Sequence, residues 1–280
     1  MSDSSLFPSD LEPYPVVANI EFAEGPICDP EGNLYFVNYV ENGTIGRLDR
    51  GGTVKVWRRT EGLMLGLKYD GRGGIVATDY GLKRIVRFPL DGGEEEVLTG
   101  DYRGEAYNGP NDLCFDQAGN LYFSDPGDNF QEPVGKIYLY RPDGSVQRLD
   151  EDLLYPNGIA VSPDQKRLYV SETVTRKILA YDLTVQGVKG KRILFEFPND
   201  GVDGIMFDEF SRLWVARWKN GTLDCLDEQG NLVGSLPAGG DVTNLCWWKD
   251  TLYATVAGRH SIHRLEVGFT CAAQSPAGTQ

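Results

Sequence analysis

Five short oxygen-bearing side chains each open an apolar run: Glu24 in EGPIC, Asn111 in NDLCF, Asn157 in NGIAV, Asp203 in DGIMF and Asn244 in NLCWW. Carboxylates and amide carbonyls, with no His or Cys among them, form a hard donor set that suits Ca2+ or Mg2+ better than a tetrahedral zinc site. If the fold gathers them in one channel, the carboxylates there must be paired or metal-bound, because an isolated buried charge is costly. The rival reading of each residue taken singly is a strand-end cap or a water bridge. The choice turns on whether the five share one structural position.

A repeat gives them that position. Six segments look alike: GNLYFVN at 32–38, GGIVATD at 73–79, GNLYFSD at 119–125, KRLYVSE at 166–172, SRLWVAR at 211–217 and DTLYATV at 250–256. Their reference residues Leu34, Ile75, Leu121, Leu168, Leu213 and Leu252 recur every 44 residues or so, and each segment alternates with the two-residue period of a strand. An apolar strand precedes each segment and another follows it, as in IGRLD, IYLY and IHRLE. Turn chemistry (DRGG, LDGG, PDGS, DEQG) then leads into a fourth short strand. Four-stranded units of this length predict an all-β, six-bladed β-propeller with four antiparallel strands per blade. Two β-sandwiches of three repeats each are the rival architecture, but no linker divides the repeat. The ring is expected to close by the N-terminal stretch Tyr14–Ile20 adding a strand to the last blade, which removes an open sheet edge. The expected division is a tail at 1–13, one propeller domain at 14–269 and a tail at 270–280.

The first strand of each blade lines a propeller's central channel. Counting ten residues back from the reference positions gives Glu24, Leu65, Asn111 and Asp203; turn lengths shift the fourth and sixth blades to Asn157 and Asn244. Five of these six side chains carry oxygen, which favours a metal site over caps. A second column, four residues beyond each reference position, reads Asn38, Asp79, Asp125, Glu172, Arg217 and Val256, at the same mouth. From it Asp125 and Arg217 are expected to touch substrate, as are Asn111 and Asn244. Two loops there, Pro126–Lys136 in blade 3 and Gly100–Pro110 with Tyr102, Arg103 and Tyr107, are expected to form the rim.

Composition removes several functions. With 41 acidic against 27 basic residues the formal net charge is -14, so a nucleic-acid partner is not expected. No apolar run approaches the ~20 residues of a membrane helix. The start Met1-Ser-Asp-Ser-Ser has no signal-peptide pattern, and five scattered cysteines suggest reduced thiols, so the expected location is cytoplasmic. There is no GxSxG, GxGxxG or GxxxxGK[ST], and His260 and His263 are expected to be structural.

The segments AEGP at 23–26, PNDL at 110–113, PNGIAVSPD at 156–164 and DGI at 203–205 resemble the metal-site motifs of the senescence marker protein (regucalcin)/gluconolactonase family, along the chain from about 18 to 268. The resemblance implies a propeller holding one divalent cation in its channel, Ca2+ ahead of Mg2+, Mn2+ or Zn2+. It implies Glu24, Asn157 and Asp203 as ligands, Asn111 as a fourth ligand or substrate contact, and Asp203 as acid/base residue. The implied reaction is hydrolysis of a small-molecule cyclic ester by a monomer or small homo-oligomer. One departure stands out: sugar-lactonase members place an Arg two residues before the third-blade Asn, where this chain has Gly109. The related diisopropyl fluorophosphatases share the ring, so phosphotriester or fluorophosphate hydrolysis is the alternative. A non-hydrolytic calcium-binding propeller or biosynthetic relative is the third.

Overall fold

Each repeat folds into one four-stranded antiparallel sheet in the computed structural model, which describes residues 12–267. Blade 3 shows the pattern: Leu113–Phe115, Leu121–Asp125, Gly135–Tyr140 and Val146–Leu153 run from channel to rim in chain order. The expected ring closure is present. Tyr14–Val17 pairs with Ser261–Glu266, placing Tyr14 opposite Arg264 and Val17 opposite Ile262. The sixth sheet therefore joins both ends of the described chain, and its edge is covered. Across the seam the Ile20 N–H donates to the His260 carbonyl, and His260 Nδ1 lies 3.0 Å from the Ile20 carbonyl oxygen. The expected tails and the domain end at 269 lie outside the described residues, apart from residues 12 and 13.

The inner strands read as almost unbroken apolar runs because both faces of a blade pack against neighbouring blades. All six reference residues are at most 1% exposed. Around them lie Phe36, Trp214 and Leu245 at one seam, and Tyr122, Ile159 and Leu179 at another. Outer strands such as Glu96–Thr99 alternate less and stay partly exposed. Among the described residues no helix is long and apolar enough to cross a membrane, and four cysteines carry free thiols.

Two details differ from the sequence reading. The loop at 100–110 contains a two-stranded ribbon, Asp101–Tyr102 with Glu105–Ala106. Tyr107 follows it as a buried anchor, edge-on to Phe123 and bonded through its hydroxyl to Thr99 and the Asp101 carbonyl. In blades 3 and 5 the regular first strand begins two residues after Asn111 and Asp203. Strand pairing slips at this position in blades 1, 2, 4 and 6 as well. The chain turns there from the sheet towards the channel.

Candidate functional site

The residue after each inner-column position explains how closely the chains converge. It is glycine in four blades: Gly25, Gly66, Gly158 and Gly204. Gly25 has φ +53°, and a Cβ on it would lie 2.1 Å from the Leu65 carbonyl oxygen. A Cβ on Gly204 would lie 2.2 Å from Asn244 Oδ1. Only glycine lets neighbouring backbones approach so closely. Blade 3 breaks the pattern with Asp112, whose Oδ1 fills space that Gly66 leaves, 2.9 Å from where a Cβ would stand.

Glu24, Asn111, Asn157, Asp203 and Asn244 are all buried at this convergence, as the sequence column expects, and Asp112 joins them. Asn244 lies close enough to the carboxyls of both Glu24 and Asp112 to favour their charged forms, as Asn157 does for Asp203. Gly25 N–H donates to Glu24 Oε2 at 2.9 Å. Three oxygens here remain without a hydrogen-bond partner although fully buried: Asn157 Oδ1, Asp203 Oδ1 and Asp112 Oδ2. Buried polar atoms are nearly always satisfied, so three orphans in one cluster point to a missing electropositive partner.

The electrostatics agree. Burial first, and the Asp112 charge after it, push the Glu24 carboxyl up to about 8, against the Gly25 N–H and Asn244. Burial, then Glu24, then Asp112 hold Asp203 well above the usual carboxylate range. Asp112 is raised by burial, with Lys68 as the leading opposing influence. Lys68 comes from blade 2, whose column member Leu65 offers no oxygen, and it also acts on Glu24. Three carboxylates against one ammonium leave a formal charge of about -2, a fit for one divalent cation. Among the described residues no three His, Cys, Asp or Glu side chains alone are placed to hold a metal. A cation held here would need the amide oxygens of asparagines as well as carboxylates, a donor set of oxygens only.

The second column does different work. Asp125, expected to touch substrate, is fully buried and accepts the Asn108 and Gly109 N–H groups at 2.9 and 2.7 Å. Arg217, also expected there, pairs with Asp224 at 2.6 Å, donates to the Asn199 and Gly201 carbonyls and lies over the Phe197 ring. Its companions behave alike. Asp79 accepts from Leu63 N, Glu172 from Leu154 N, and Asn38 Nδ2 donates to the Phe22 carbonyl. Each clamps the segment leading into its own blade's first strand. The polar atoms of Asp125 and Arg217, expected to touch substrate, are used internally to hold backbone.

Above the cluster, two aromatic pairs flank the mouth. Phe130, half-exposed on the blade 3 loop, stacks on Tyr155 with centroids 4.0 Å apart. Phe22 and Trp218 meet at 6.2 Å. Tyr155 and Phe22 each precede a column residue by two positions, and the Tyr155 hydroxyl is raised by burial and then by the charges of Asp203, Asp128 and Glu24. The Phe130 loop is latched by a Tyr80–Asp128 hydrogen bond and by Asn108 Nδ2 on the Val134 carbonyl. Tyr80 also explains Gly109, since a Cβ there would stand 2.8 Å from the Tyr80 ring. Any side chain at 109 would require the Tyr80 ring to move.

Sequence reasoning missed Asp112 and Lys68. The available signal was Asp112 itself, a side chain at a position where four repeats have none.

Comparison with known proteins places the chain among related sequences. The family model described as SMP-30/gluconolactonase/LRE-like region matches residues 22–258. The chain is 30% identical over 251 residues to the diisopropyl-fluorophosphatase of Loligo vulgaris, covering 77% of this chain and 78% of that one. It is 26% identical over 253 residues to the gluconolactonase of Zymomonas mobilis, covering 80% and 67%. The solved structure of a gluconolactonase from Xanthomonas campestris aligns with a TM-score of 0.84 at 26% identity, over 94% of this chain and 91% of that one. Motifs on four blades, a six-bladed ring and a match spanning most of the chain lead to one conclusion: this protein belongs to the SMP-30/gluconolactonase/LRE-like family.

Proposed function

We propose that the protein is a lactone hydrolase that uses one divalent cation, Ca2+ by preference, held by Glu24, Asn111, Asn157 and Asp203. The observation that carries this reading is the trio of unpartnered buried oxygens on Asn157, Asp203 and Asp112 beside Glu24. A cation held by these residues would supply Lewis-acid polarisation of the ester carbonyl and offset negative charge on its oxygen. Asp203 serves as the acid/base group. Its carboxylate would take a proton from the attacking water and return it to the ring oxygen as the ester bond breaks. Asn157 beside it favours the ionised form of the Asp203 carboxyl. Glu24, fixed by Gly25 N–H, contributes charge and geometry. Asn111 is shared between cation and substrate, and Asn244 contacts substrate from the same ring. The aromatic pairs at the mouth limit water around the ester.

The substrate is a small-molecule cyclic ester. Gly109 beneath Tyr80 argues for one recognised by shape more than by an arginine grip on a sugar acid. The acidic surface argues against a nucleic-acid partner. The reading places a monomer or small homo-oligomer in the cytoplasm, in keeping with its free thiols. Hydrolysis of a lactone panel should stop on thorough chelation and return with Ca2+; turnover that survives chelation sinks the mechanism. Fluorophosphate hydrolysis is the second reading, favoured by the similarity to the Loligo vulgaris enzyme. Assaying lactones and aryl phosphotriesters side by side separates the two.

A further inference from the structure

Three residues past each reference position the six blades read Val37, Thr78, Ser124, Ser171, Ala216 and Thr255. The hydroxyls are not spread evenly. Thr78 Oγ1 donates to the Asn111 carbonyl of the next blade, Ser124 Oγ to the Asn157 carbonyl and Ser171 Oγ to the Asp203 carbonyl, each at 2.6 Å. At the seam Thr255 Oγ1 meets Thr243 Oγ1 at 2.8 Å, and Thr243 Oγ1 reaches the Ala23 carbonyl, one peptide before Glu24, at 2.6 Å. All five hydroxyl residues are fully buried. The two blades without a hydroxyl, with Val37 and Ala216, precede Leu65 and Asn244, the column members outside the proposed ligand set.

A clasp needed only to hold blades together would serve all six seams. The backbone pairing does not demand it either. Blade 5 makes the same strand bonds around Ala216, Asp203 N–H to the Ala216 carbonyl and Ala216 N–H to the Gly204 carbonyl, as blade 3 makes around Ser124. A hydroxyl bonded to a ligand residue's carbonyl fixes that peptide plane and so the direction in which the side chain leaves the backbone. Sites of this kind tolerate errors of only about 0.5 Å, and their outer partners are typically worth 10–100-fold in metal affinity or activity.

We infer that Thr78, Ser124, Ser171 and the Thr255–Thr243 pair are positioning residues, a ring of hydroxyls that aims each cation ligand from the preceding blade. The inference rests on the cation reading above. Calorimetric titration of chelated protein with Ca2+ tests it, alongside melting temperature. Thr78→Val, Ser124→Ala and Ser171→Ala should each weaken Ca2+ binding at least fivefold, while Ser171→Thr, which keeps the hydroxyl, stays within threefold of wild type. Thr44→Val is the control. It removes an equally buried hydroxyl that bonds the Tyr39 and Glu41 carbonyls, outside the ring, and should leave Ca2+ affinity unchanged. Losses below fivefold in the clasp variants, an equal loss in Thr44→Val, or a Ser171→Thr as weak as Ser171→Ala would overturn the role. If the serine-to-alanine proteins fail to fold, Thr78→Val, which preserves shape, decides. A wild-type protein that binds no Ca2+ removes the cation reading and the clasp with it. Wild-type binding with unaffected clasp variants removes the clasp alone.

Discussion

Two rings of polar residues surround the mouth of the channel, and in sequence they look equivalent. The inner one, Glu24, Asn111, Asn157, Asp203 and Asn244, leaves buried oxygens without partners. The outer one, Asn38, Asp79, Asp125, Glu172 and Arg217, spends its groups on the backbone leading into each first strand, with Asn38 Oδ1 the one buried oxygen among them left unpartnered. The outer ring even conserves its task when the chemistry inverts. Asp79, Asp125 and Glu172 accept N–H groups, whereas Arg217 donates to carbonyls and is balanced by Asp224. Polarity in a repeated column therefore marks a site where the fold gathers several unsatisfied oxygens together, as at Asn157, Asp203 and Asp112. A satisfied column is scaffold.

The sharpest test of this contrast is one substitution in each ring. Asp203→Asn keeps size and an oxygen donor but removes charge and basicity. It should fold, bind Ca2+ more weakly and lose on the order of 10²-fold or more in turnover. Near wild-type turnover at saturating Ca2+ would move the acid/base role to another group. Arg217→Ala should act on stability instead, because it strands the buried Asp224 carboxylate, and breaking such a pair costs about 3–5 kcal/mol. Denaturant unfolding measures that loss, and the folded fraction should retain Ca2+ affinity. A strong affinity loss without destabilisation would return Arg217 to the binding surface.

The pH dependence separates the rings in a second way. The folded pKa of Glu24, about 8, lies above its unfolded value, so the cation-free native state holds the extra proton between roughly pH 4.5 and 8. Stability of the cation-free protein should then fall as pH rises through that window and level off above it. Excess Ca2+, which binds the ionised form, should flatten or reverse the trend. Thermal melts with and without Ca2+ across this range give the answer, and identical profiles would exclude cation binding at Glu24. The smallest expected effect checks the frame that carries both rings. Leu121→Ala, at a fully buried reference position, should cost about 2–5 kcal/mol with little change in Ca2+ affinity. A cost under about 1 kcal/mol would count against the packing of that seam.

The blades, their count and their register are legible in the chain because a strand's two faces impose a period of two, and a blade imposes a longer one on top. The inner ring follows by counting back from Leu34, Leu121 or Leu213, since equal strand lengths bring equal positions to one mouth. The N-terminal closure follows too, from the need to cover an edge. Hydrogen-bond satisfaction is not encoded in that way. Whether Asp125 or Asp203 is spent depends on groups delivered by other segments: Asn108 and Gly109 arrive to meet Asp125, while nothing arrives for Asp203 Oδ1. Asp112 and Lys68 escaped notice for the same reason, because they complete the cluster from positions where the repeat carries glycine or a lone lysine. The repeat in the sequence decides which atoms reach the channel. The contacts between blades, made across separations such as the 33 residues from Thr78 to Asn111, decide which of them remain free to bind.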